Sequence, residues 1–150
     1  LCRDWSSDVC SSDLVFDWGG LEEFRKTLPD YRRHERFQFF VAAWDIVKAL
    51  YILDRYPRDT NSLTLENAPK VYGFEHPERS LYRFNQNAHE DERVDITRPV
   101  ILALIDVHEE KPDHLVIDGL NRMYKAWKLG ETRVPCFVLT TEEQDACRIR

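Results

Sequence analysis

Glycine is scarce in this chain, with five in 150 residues. That scarcity excludes a glycine-rich phosphate loop of the G-x-G-x-x-G or G-x-x-x-x-G-K-[ST] kind. No apolar run reaches the ~20 residues a membrane helix needs. The longest candidate, residues 37–53, is interrupted by Asp45 and Lys48. No positively charged segment followed by an apolar stretch opens the chain, so no signal peptide is read there. Basic charge is also in deficit: the net charge is −6. A globally basic nucleic-acid-binding surface is excluded, although a local basic patch is not. No C-x-x-C or zinc-ligand spacing occurs among the four cysteines. What is present is a globular composition, 43% hydrophobic and 12% aromatic. At this length one domain is expected, burying roughly two-thirds of its unfolded surface.

Residues 1–14 read LCRDWSSDVCSSDL and show neither strand alternation nor helical periodicity. From Asp4 to Leu14 the stretch resembles a translated sequencing adapter, DWSSDVCSSDL, and it is set aside as a non-native artefact. It carries a net charge of −2, leaving −4 for the rest. It also holds Cys2 and Cys10, so only Cys136 and Cys147 remain, too few for a disulfide framework. A reduced cytoplasmic protein is the expectation.

Leu21 to Leu28 is a short amphipathic helix candidate ended by Pro29. Asp30 then caps an expected longer helix running to about Tyr56. Its apolar residues cover two faces: Phe37, Phe40, Val41, Trp44 and Val47, then Phe39, Ala43, Ile46, Leu50 and Leu53. Such a helix is buried from both sides or pairs with another element. Phe37, Trp44 and Tyr51 read as core rather than as a partner groove. Between Ser62 and Arg98 the signals are weak, with short β-like pieces at 62–65, 70–74 and 81–84. Glu90, Asp91 and Glu92 read as a solvated loop.

The last third is clearer. PVILALIDV (99–107) and HLVID (114–118) form a strand pair across a charged turn. Leu120 to Leu129 is a helix stopped by Gly130. VPCFVL (134–139) is a third strand, with Pro135 favouring an edge or a strand start. Thr140 or Thr141 caps a final helix that runs off the end of the chain, so a truncated C-terminus is expected. Leu120, Met123, Tyr124 and Trp127 fall at i, i+3, i+4 and i+7. They predict a helix face buried under the sheet, with Arg122, Lys125 and Lys128 outward in water. Strand, glycine and helix in succession offer backbone N–H groups and a helix dipole to an anion. Arg122 adds a planar fork suited to phosphate. An ordinary solvated basic face has the same composition.

The residues Ile117, Asp118, Gly119, Arg122, Ala126, Gly130, Val134 and Pro135 carry a resemblance. The stretch resembles the ParB N-terminal domain superfamily, which also holds sulfiredoxin. That resemblance covers about a third of the chain. It implies an α/β (α+β) fold for 99–150, a small mixed sheet with flanking helices; residues 15–98 lie outside the resemblance and read as an N-terminal helical extension and a poorly defined β and loop region. It also implies a phosphate or nucleotide site at Gly119, Leu120, Asn121, Arg122 and Lys125, with CTP or another nucleotide and Mg2+ as ligand. A DNA-associated or regulatory role follows, with DNA or a DNA-bound protein as partner. Leu120 stands where sulfiredoxin has its nucleophilic cysteine, which removes that chemistry. The same leucine replaces an acidic residue of many ParB proteins, which puts hydrolysis in doubt. Asn121 stands where many small relatives have histidine.

Asp118 carries two readings. It is a general base or magnesium ligand in a metal-dependent phosphoryl-transfer or nuclease-like enzyme, or a cap for the helix that follows. Asp106, His108, Glu109, Glu110, Asp113 and His114 have metal-binding residue types without ligand spacing, as in a solvated turn.

Overall fold

Period-two alternation decides the stretch where helix and strand compete. The computed structural model describes residues 16–105 and 113–149. The adapter-like residues 1–14 lie outside it, as does most of the turn with Asp106, His108, Glu109 and Glu110. Chain contacts group the described residues into two units, 16–58 with 139–149, and 59–138. Together the elements form a mixed α/β fold.

In the first unit, α1 (Leu21–Thr27) ends before Pro29 as expected. The long helix from Asp30 does not form. A short 3-10 turn, Asp30–Arg32, is followed by β1 (Arg36–Phe39) and β2 (Ala42–Asp45), an antiparallel pair. Arg36 and Gln38 are exposed while Phe37 and Phe39 are half-buried, which is strand periodicity. The two apolar faces therefore belong to a hairpin. Its turn carries Phe40 at φ 53, without the glycine or asparagine that signals such turns. Helix α2 (Ile46–Arg55) begins only at Asp45, whose carboxylate accepts the Lys48 N–H at 3.2 Å. Trp44 and Tyr51 are buried and Phe37 is half-buried. Tyr51 packs with Leu21 and Val47 against Trp18, Phe24 and Leu28. The last helix, α5 (Thr141–Cys147), does not run off the end. Arg148 bridges to Trp44, and the Ile149 N–H donates to the Ala43 carbonyl.

The second unit holds a four-stranded sheet in the order β3-β6-β4-β5. Its strands are β3 (Asn61–Thr64), β4 (Val100–Ile105), β5 (Asp113–Asp118) and β6 (Arg133–Val138). The β4–β5 and β3–β6 pairs are antiparallel and β4–β6 is parallel. Pro135 therefore sits in an inner strand, not at an edge. It is tolerated because it lies one residue before the β4 register begins at Cys136. The β-like piece at 70–74 is instead the end of a helix, α3 (Ala68–Tyr72). Pro69 occupies its first turn and Gly73, at φ 70, closes it. No strand forms at 81–84. Helix α4 (Leu120–Lys128) packs on β4 and β6. Its end is a Schellman motif: the Gly130 N–H donates to the Trp127 carbonyl, the Glu131 N–H to that of Ala126.

Candidate functional site

The β5–α4 junction forms as its sequence suggests. The strand ends at Asp118, Gly119 takes φ 101, and α4 starts at Leu120. Gly119 is the N-cap, so no side chain at that position caps the first turn. A Cβ at Gly119 would stand 2.7 Å from Val100 Cγ1 and 3.0 Å from the Arg122 guanidinium carbon. The glycine is thus required twice, for its φ and for the guanidinium lying against its backbone.

Arg122 departs most from expectation. Its side chain is 12% exposed, not outward in water. Nη2 donates to Asp118 Oδ2 at 3.0 Å, and Nη1 donates to the Pro99 carbonyl at 2.6 Å. The Arg98 carbonyl also accepts from Nη1, at 3.3 Å. Asp118 is itself buried, and its carboxylate serves this ion pair. A magnesium ion at this carboxylate would have to compete with the guanidinium for the same oxygen. Among the described residues, no three His, Cys, Asp or Glu side chains gather to hold a metal ion.

Lys125 is also not in open water. Its Nζ donates to the carbonyls of Asp91 at 2.7 Å and Val94 at 2.9 Å. Lys128 is exposed, as expected, and lies near the rings of Tyr124 and Trp127. Asn121 is exposed, and its Oδ1 accepts the Asn85 N–H at 2.7 Å. Leu120, Met123 and Tyr124 are buried as expected, but Trp127 is only half-buried. Ala126 takes the closest place in the core, at 0% exposure, and Trp127 rests beside it against Phe74.

The sequence reading missed the segment that covers α4. Residues 85–99 run along the polar side of the helix, which Asn121, Arg122 and Lys125 hold from first turn to second. The acidic run 90–92 was the one signal it left in the sequence. Neither remaining cysteine is poised as a nucleophile. Burial pushes the Cys136 thiol up, and burial, with Asp45 nearby, pushes the Cys147 thiol up to about 12. No helix of the described residues is long and apolar enough to cross a membrane. No protein-family model, no curated protein and no solved structure matches the chain.

Proposed function

We propose that the β5–α4 turn binds the phosphate of a nucleotide, CTP or a similar one, as the resemblance to ParB-like domains implies. The observation that carries this reading is Gly119: a left-handed, side-chain-free N-cap with the Arg122 guanidinium packed on its backbone. Such a turn lets an anion approach the first-turn N–H groups closely, with the helix dipole and a cation beside it. Because Arg122 is tied to Asp118 and Pro99, its first task is to shape the turn. The same resemblance supports a DNA-associated or regulatory role, and the small number of cysteines supports a reduced, cytoplasmic setting. No observation favours the metal-dependent enzyme reading.

Asn121→Asp is the test. The substituted carboxylate keeps an acceptor for the Asn85 N–H and is welcome at a helix N-terminus, so the fold is retained. It also places negative charge where the phosphate would sit. Titration of CTP, ATP and inorganic phosphate, with and without magnesium, should move the amide resonances of residues 119–122. The substitution should weaken binding by about tenfold, the equivalent of ~1.4 kcal/mol. If none of the three binds at millimolar concentration, or if Asn121→Asp binds as well as wild type, the reading fails.

A further inference from the structure

The segment over α4 has the charge of a ligand. Residues 85–98 carry Glu90, Asp91, Glu92 and Asp95 against Arg93 and Arg98, a net −2. Helix α4 carries Arg122, Lys125 and Lys128 and no acidic residue. An acidic strap therefore lies on a basic helix.

The bonds that hold it have one pattern: α4 side chains bind strap backbone. Asn121 accepts from the Asn85 N–H, Lys125 donates to the Asp91 and Val94 carbonyls, and Arg122 donates to those of Arg98 and Pro99. These are the polar residues that a phosphate at this turn would use. Carbonyl oxygens are neutral acceptors, and a phosphate oxygen forms charge-assisted bonds roughly twice as strong. Lys125 is thus occupied by neutral acceptors, while Arg122 also pairs with the Asp118 carboxylate.

The strap buries few of its own side chains. Between Asn85 and Arg98 only Ala88 is buried, and backbone bonds within it are local turns such as Asp91 N–H to the Ala88 carbonyl. Closure also leaves the Nδ1 of His89 buried without a hydrogen-bond partner while its ring packs edge-on to Tyr124. A buried unpaired polar atom opposes the closed arrangement. Segments with few buried side chains open at low free-energy cost.

We infer that residues 85–98 are an autoinhibitory strap, which occupies Lys125 and one face of Arg122 and is displaced by a polyphosphate ligand. The inference rests on the phosphate-site reading above. Binding then exchanges strap carbonyls for phosphate oxygens, and the acidic residues of the strap set the threshold of affinity.

The test compares wild type with Glu90→Gln/Glu92→Gln, two exposed positions. Inorganic tripolyphosphate and CTP are the probes, with hydrogen exchange followed at strap amides. The double variant should bind at least about twofold tighter at low salt, with the gain shrinking as salt rises. Amides of residues 88–98 should lose protection when either probe binds wild type. Binding by the variant alone also supports the strap. If wild type binds, the variant binds equally, and strap protection is unchanged or increased, the strap inference is overturned and the phosphate site stands. If neither protein binds either probe, the phosphate-site reading fails and the strap falls with it.

Discussion

Helices α4 and α5 each begin just after a strand, and they begin in opposite ways. Helix α5 has every device of a closed start. The Thr140 hydroxyl accepts the Glu143 N–H at 3.1 Å, and Glu143 accepts the Thr140 N–H at 2.9 Å. Arg58 then grips the Glu143 carboxylate with both terminal guanidinium nitrogens, Nη1 and Nη2. Helix α4 begins with a glycine, and its Asp118–Arg122 pair spans the first turn from the side. Both starts use a buried carboxylate and an arginine. In α5 the carboxylate serves its own helix terminus, so the site is complete. In α4 the pair orients a turn with no capping side chain at its N-cap.

The largest effect that would break this comparison is expected at Gly119. Gly119→Ala imposes a left-handed alanine and a Cβ against Val100 and Arg122, costing about 3 kcal/mol in urea unfolding. Gly130→Ala is the control. It shares a positive φ, but its Cβ would meet nothing within 4 Å, so about 1 kcal/mol is expected. Equal losses would mean that close packing at the α4 start is unimportant.

Arg122→Ala comes next. It removes the guanidinium that pairs with the buried Asp118 carboxylate and should cost about 2–3 kcal/mol. A loss below about 0.5 kcal/mol would restore the outward-facing arginine expected from helical periodicity.

Glu143→Gln is expected to cost about 2 kcal/mol at neutral pH, because it leaves Arg58 without a charged partner and weakens the capping box. Its pH dependence is diagnostic. Burial alone would raise the Glu143 carboxyl, but the Arg58 hydrogen bond and the Thr140 N–H outweigh it and hold the carboxyl below its ordinary value. The stabilisation is therefore full above the ordinary carboxylate range and lost as pH falls through the lowered folded value. The wild-type advantage over Glu143→Gln should shrink under acid. A gap unchanged in acid would show that charge is not what Glu143 supplies. The smallest effect is Thr140→Ala, about 1 kcal/mol by thermal unfolding, since the Arg58–Glu143 pair survives it.

The legible parts of the chain were those with one consistent period. The apolar run read as a strand over 99–107 is one over Val100–Ile105 among the described residues, and the break at Gly119 and the Gly130 stop also read correctly, because local preference and tertiary role agree. Residues 30–56 misled because aromatic residues spaced for two helix faces also suit a strand pair. The hairpin turn at Phe40 and Val41 had no turn residue to announce it. The candidate site was half legible. Gly119 and the helix start were visible, but the engagement of Arg122 and Lys125 was not.

By itself, then, the sequence determined a mixed α/β chain, its central strands and the strand–glycine–helix junction. These follow from local chirality, side-chain period and the φ freedom of glycine. Only the tertiary structure decided where the charges went. A basic helix face is the same string of residues whether water, phosphate or a neighbouring loop satisfies it. The choice here was made by carbonyls 23 to 34 residues away in sequence, which no local pattern can place.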